Sequence, residues 1–232
     1  MVFIDAAADL LLGSRCPGCG QPGHGLCRGC RIELEQGRVR FVRRDPSPPG
    51  MPLTVAAGDY VGVMPHLVAG FKDERLLGLA GPLATRLALA VAHLLAALGH
   101  LGTAYHLVPI PSAPAAVRER SVDHTRLLAH RTKAVLRREA GLGVVVRHGL
   151  RPGRRVTDQV GLDAGARWQN REGHFRVAGT PPSDSVPILI DDVTTTGATL
   201  AAAARTFAAA GTPVLGAAVV AATVRRTMAR RE

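Results

Sequence analysis

The 232-residue chain is 47% hydrophobic, enough apolar material for one substantial α/β core with a small appendage and too much for a disordered protein. Its net charge of +11 and pI near 11.0 come almost wholly from arginine, since Lys72 and Lys133 are the only lysines. That balance suits a polyanionic partner held by non-specific attraction, while an aromatic content of 3% offers no evident stacking platform of the kind typical of single-strand binders.

The first thirteen residues carry Asp5 and Asp9 and a short apolar run, without the charged start and length of a signal peptide, so a cytoplasmic location is expected. An opening helix from about Asp5 leads to Cys16-Pro17-Gly18-Cys19 and Cys27-Arg28-Gly29-Cys30. All four cysteines thus fall within fifteen residues as two CxxC pairs, the spacing of tetrahedral thiolate ligands to one structural zinc. A bound metal would substitute for the core that so short a segment cannot build, whereas a redox CxxC would be expected singly. His24, between the pairs, reads as a loop residue because four cysteines already fill a tetrahedron. Residues 31–36 continue as a short helix. The proline-rich residues 45–52 lack helix and ladder donors and read as a linker. The expected organisation is therefore a helix plus four-cysteine zinc-binding module over 1–44, the linker over 45–52 and the main domain over 53–232.

In the main domain, residues 53–58 read as a strand, 61–71 as a helix and 83–98 as a long core helix. Residues 76–101 are the most hydrophobic region, but Pro82, Arg86, His93 and several glycines argue against a membrane span. A second strand over 104–108 runs into the turn Pro109, Ile110, Pro111 and Ser112. From 123 to 139, Leu127, Leu128, Val135 and Leu136 recur at helical spacing, which predicts an amphipathic helix with an arginine-rich outer face. A strand over 144–146 follows, and then a polar, arginine-rich loop over 149–165 without secondary pattern, of a length usual for lids and binding loops. Alternating strands and helices call for a parallel sheet covered on both faces, with ligands beyond the carboxyl ends of its strands.

The most specific stretch is Ile188-Leu189-Ile190-Asp191-Asp192-Val193-Thr194-Thr195-Thr196-Gly197-Ala198-Thr199-Leu200. Residues 187–190 are a short apolar, β-branched-rich run suited to a buried strand, and the alanine-rich 200–210 is a helix. The loop between them opens a helix N-terminus, where unpaired N–H groups and the positive end of the macrodipole favour an anion. Gly197 lets the backbone approach that anion, and threonine hydroxyls add donors. Asp191 and Asp192 would repel a phosphate, so they suit neighbouring sugar hydroxyls, and the whole fits a ribose 5-phosphate. Neither the lysine of a Walker A loop nor a GxGxxG motif occurs in this stretch.

This stretch resembles the 13-residue signature of type I phosphoribosyltransferases, which bind 5-phosphoribosyl 1-pyrophosphate (PRPP). More of the chain resembles one branch of that superfamily, the ComF family of competence-associated proteins. The pieces are the paired CxxC, Phe71-Lys72, Val108-Pro109-Ile110-Pro111, Arg118 and Arg120 before Leu127-Leu128-Ala129, then Gln159, Leu162, Arg167, Asn170 and Phe175, and last the signature. The resemblance implies a type I phosphoribosyltransferase-like parallel sheet flanked by helices. It implies that Asp191 and Asp192 meet the ribose and Mg²⁺, and that Thr195, Thr196, Gly197, Ala198 and Thr199 hold the 5-phosphate. Pro109, Ile110, Pro111 and Ser112 would face the pyrophosphate, and Gln159, Arg167 and Asn170 would belong to a lid. Implied partners are PRPP, single-stranded DNA and a competence helicase or other DNA-uptake proteins. The chain departs from purine-salvage relatives, which carry an aspartate at Thr195 and a lysine at Ala198. The family's Arg-Gly-Phe-Asn-Gln motif appears as Arg120-Ser121-Val122-Asp123-His124. Three readings stand: a PRPP-binding protein serving DNA handling in competence, a phosphoribosyltransferase acting on an unidentified nitrogen nucleophile, and a zinc-knuckle interaction protein with a degenerate pocket.

Overall fold

The structure, a computed structural model, describes residues 15–74, 76–99, 104–112, 117–118, 122–153, 175–179 and 185–224. The expected opening helix and the lid candidates Gln159, Arg167 and Asn170 lie outside the described residues. Five helices are described: α1 (Arg28–Gln36), α2 (Met64–Lys72), α3 (Ala80–Ala97), α4 (His124–Ala140) and α5 (Ala198–Ala209). The strands are β1 (Arg40–Phe41), β2 (Thr54–Ala56), β3 (Tyr105–Pro109), β4 (Val144–Val146), β5 (Leu150–Pro152), β6 (Phe175–Val177), β7 (Val186–Thr194) and β8 (Gly216–Ala222).

Six strands form one mixed sheet in the order β1-β2-β8-β7-β3-β4, parallel throughout except for β1. The chain moves one way across the sheet from β2 to β3 to β4 and the other way from β7 to β8. Right-handed crossovers then place α3 and α4 on one face and α5 on the opposite face. The apolar clusters divide accordingly. Ile188 and Ile190 pack with Leu83, Leu87 and Leu128, while Leu189, one residue out of phase, packs with Leu200, Phe207 and Val219.

Each helix has a local reason for its limits. The Asp123 side chain accepts the Arg126 N–H at 3.0 Å and caps α4, and Gly141, with φ of 63°, ends it in the left-handed region. Helix α3 starts at Ala80, three residues before the expected Leu83, because a proline is tolerated in a first turn. The stretch Leu77–Ala97 is long and apolar enough to cross a membrane, but 61% of its apolar 18-residue window is buried inside the protein, as for a core helix.

The loop expected over 149–165 is corrected at its start. There β5 pairs antiparallel with β6, Leu150 opposite Val177 and Pro152 opposite Phe175. The partner is distant in sequence, so no local alternation announces it. Leu150 is buried beside Phe207, and a Cβ at Gly149 would lie 3.1 Å from the Phe207 ring.

Contacts also cross residues 45–52. Strand β1 precedes that segment yet pairs with β2 beyond it, and Cys16, Cys30 and Leu34 share a core with Val63, Leu67 and Leu83. Buried Arg86, from the middle of α3, donates to the carbonyls of Glu35 at 2.8 Å, Gly37 and Ala57. A cation at the C-terminal carbonyls of α1 satisfies acceptors that the helix leaves open.

Candidate functional site

Strands β3 and β7 are neighbours whose onward connections diverge, which makes their carboxyl ends a topological switch point, where open α/β sheets form a crevice. The register pairs Pro109 with Ile190, and the Ile110 N–H donates to the Ile190 carbonyl at 2.8 Å. The turn of Ile110, Pro111 and Ser112 therefore lies beside Asp191. Pro109 and Ile110 are buried, while Pro111 and Ser112 are half-buried.

Strand β7 runs four residues past the expected Ile190, because Asp191, Val193 and Thr194 stay in register with Val219, Ala221 and Ala222 of β8. The two aspartates, being adjacent on a strand, have different surroundings. Asp192 is buried and its Oδ2 forms an ion pair with Lys72 Nζ at the end of α2. Asp191 is half-buried, and its Oδ1 accepts the Asp192 N–H at 2.9 Å. Burial pushes the Asp191 carboxyl up to about 7, against the opposing pull of the Lys72 ammonium.

Thr195 and Thr196 are exposed, Gly197 and Ala198 buried and Thr199 exposed. Gly197 caps α5 in the left-handed region, with φ of 83°, and the Thr196 hydroxyl accepts the Ala198 N–H at 3.3 Å. The loop thus presents hydroxyls around the positive end of a twelve-residue helix. Two supports carried no sequence signal. Arg44 donates to the carbonyls of Thr223 at 2.8 Å and Thr194 at 3.0 Å, which ties the ends of β8 and β7 together beneath the loop. Met51 lies against Gly197, where an added Cβ would sit 2.6 Å from its sulfur. The proline-rich segment continues along α5, with Arg205 Nη1 donating to the Pro49 carbonyl at 2.6 Å.

The second cluster is Cys16, Cys19, Cys27 and Cys30, whose Sγ atoms all lie within 4.8 Å of one another and form no disulfide. Four sulfurs about 2.3 Å from one zinc would stand about 3.8 Å apart, and Cys19 and Cys27 Sγ are at 3.8 Å. Backbone N–H groups of Gly18 and Cys27 point at Cys16 Sγ at 3.4 and 3.3 Å. Burial works against ionisation of Cys16, but these amides and that of Cys19 outweigh it and bring the thiol down to about 6. Burial, then hydrogen bonds that the Cys30 thiol donates to the other cysteines, pushes Cys30 up. A thiolate beside three donors in a closed sulfur tetrad fits a metal such as zinc. Helix α1 begins three residues earlier than the expected Arg31, because Cys27 is its N-cap, its Sγ accepting the Cys30 N–H at 3.5 Å. Gly18 permits the turn, since a Cβ there would lie 2.5 Å from Val63 and 2.7 Å from Cys30 Sγ.

Comparison of the chain with protein-family models and with curated proteins found no match. The fold and clusters define an α/β protein with a mostly parallel six-strand sheet and a cysteine cluster near its N-terminus.

Proposed function

We propose that this chain is a ComF-like protein that binds PRPP at the carboxyl ends of β3 and β7 and serves single-stranded DNA handling in competence, alongside a competence helicase or other DNA-uptake proteins. The observation that carries the PRPP reading is the meeting, at one switch point, of the Gly197 helix mouth, Asp191 and the turn 109–112. In this reading, the threonine hydroxyls and first-turn amides of α5 hold the 5-phosphate, and Asp191 accepts from a ribose hydroxyl. Lys72 fixes Asp192 beneath. Gln159, Arg167 and Asn170 carry the lid role implied by the family resemblance.

Mg²⁺ arriving with PRPP would neutralise the pyrophosphate charge. One aspartate is already paired with Lys72 and the other has its pKa raised to about 7, so the donor set fits a cation carried mainly by the ligand, which Asp191 would help to hold. Zinc in the four-cysteine cluster would be structural, since four sulfurs leave no position for water. Calorimetric titration with PRPP, with and without Mg²⁺, tests the reading: saturable binding that ribose 5-phosphate competes for supports it, and absence of binding refutes it. Release of pyrophosphate on adding candidate bases would extend it to phosphoribosyl transfer.

A further inference from the structure

Helix α4 carries Arg126, His130, Lys133 and Arg137 at steps of four, three and four residues, which aligns them in one stripe on a 3.6-residue helix. Arg126, His130 and Arg137 are exposed and Lys133 half-buried, while Leu128, Ala129 and Leu136 on the opposite face are buried in the core. Among the described residues, none of Arg126, Lys133 and Arg137 takes part in an ion pair. The next helix row adds exposed Arg131. Beside the stripe is the end of β4, an edge strand, where exposed His148 brings its ring to 6.0 Å from that of His130, inclined at 37°. Burial first, and then the Arg126 guanidinium, hold both imidazoles below their usual range, with Lys133 adding to this at His130. Two exposed histidines thus lie within electrostatic reach of Arg126, and His130 also of Lys133, with the Asp123 carboxylate acting in the opposite sense on His148.

The geometry points to the α4 stripe and the His130–His148 pair as the docking surface for single-stranded nucleic acid, with phosphates on Arg126, Lys133 and Arg137 and bases against the imidazoles. The inference rests on the DNA half of the proposed function and is independent of PRPP. Charge alone would attract any polyanion, duplex included. Ring faces among the cations favour a single strand, whose unpaired bases can stack on histidine, whereas a duplex keeps its bases covered. The histidines supply here what the low content of Phe, Tyr and Trp withholds.

The test is fluorescence anisotropy of a labelled oligothymidine on the full chain across a salt series. Three variants are compared: Arg126→Gln/Lys133→Gln/Arg137→Gln, His130→Ala/His148→Ala, and a control, Arg28→Gln/Arg31→Gln/Arg38→Gln, that removes the same charge from exposed positions on and just after α1. The first variant should lose at least tenfold in affinity at low salt and flatten the log–log salt slope by about 2. The control should bind nearly as wild type does, and the histidine variant should lose preference for single strand over duplex. Equal loss in stripe and control variants, or undiminished binding by the stripe variant, would overturn the location alone. Equal competition by duplex or by polyglutamate would overturn the assignment of the partner. No wild-type binding at low salt would remove both this surface and the DNA half of the proposed function, leaving the PRPP titration to decide the other half.

Discussion

Replacing Gly197 by alanine separates two demands made at one atom. The left-handed φ of 83° costs a non-glycine residue about 1–2 kcal/mol. The new Cβ would also lie 2.6 Å from Met51 Sδ and 2.8 Å from its Cε, so Met51 must leave its rotamer at about 0.5–1.5 kcal/mol. Together these predict a loss of about 1.5–3.5 kcal/mol, or a fall in Tm of roughly 3–14 °C at about 2–4 °C per kcal/mol for a chain of this size. Met51→Ala in the same chain should recover the steric part and leave the conformational part. A double-mutant cycle by thermal unfolding should therefore show a coupling of about 0.5–1.5 kcal/mol. PRPP affinity should fall in Gly197→Ala and stay low in the double variant, because the backbone change displaces the amides proposed to meet the phosphate. Unchanged stability in Gly197→Ala would refute the left-handed cap. Additive losses with no coupling would refute the Met51 contact.

Three further outcomes are expected. Asp191, raised to about 7 against an ordinary value of 3.8, binds a proton more tightly in the folded state, so its contribution to stability falls as pH rises from about 4 to 7. Asp191→Asn should accordingly stabilise the protein by on the order of 1–2 kcal/mol at pH 8 and by little at pH 4, the figure being reduced for its partial contact with water. PRPP affinity of the wild type should drop as pH falls below about 7, where the acceptor carboxylate is protonated, and a flat calorimetric profile from pH 8 to 6 would contradict that role. Lys72→Ala leaves the nearly buried Asp192 unpaired and should cost about 2 kcal/mol in chemical denaturation, below the roughly 3–5 kcal/mol of a fully buried pair because Lys72 keeps 32% exposure. Adding Asp192→Asn should restore most of that loss. Purified protein should hold one zinc per chain, and Cys27→Ser or a strong chelator should lower its Tm as well as its metal content; two disulfides and no zinc would refute the site.

The parts of this fold that could be read in the sequence are those whose signal is local. The β-branched run at 144–146, the 3.6-residue repeat of α4 and the paired CxxC each carry their information within a few residues, and the structure places β4, α4 and the sulfur tetrad there. Strand β8 shows the limit. Gly216-Ala217-Ala218-Val219-Val220-Ala221-Ala222 is mostly alanine, a helix former by propensity, yet it lies in the sheet with every residue buried. Small side chains suit a strand covered on both faces and packed close to its neighbours, a demand that arises only once the sheet exists. A Cβ at Gly216, for instance, would lie 2.7 Å from the Leu53 carbonyl and 3.0 Å from Leu94. The supports of the candidate site were hidden for the same reason. Arg44 and Met51 act on residues about 150 positions away, and no spacing rule spans that distance.

Arg86 shows how one residue can mean different things at the two levels. In the sequence it is a charge inside an apolar stretch and speaks only against a membrane span. In the structure that charge is half of a joint. Its guanidinium gathers the last carbonyls of α1, and with them Ala57 at the end of β2, whose N–H donates to Val219 of β8. Val219 in turn pairs with Asp191. The cysteine cluster is therefore tied to the strand that carries the acidic pair through a short series of hydrogen bonds and one shared core. Burial lowers the Arg86 pKa, which is the cost of placing a guanidinium there. Apolar packing alone could join α1 to α3, but it could not satisfy carbonyls that a helix end leaves open inside the protein. A metal that orders the four sulfurs thus also fixes the helix whose end Arg86 holds, and through it the edge of the sheet on which the candidate ligand site is built.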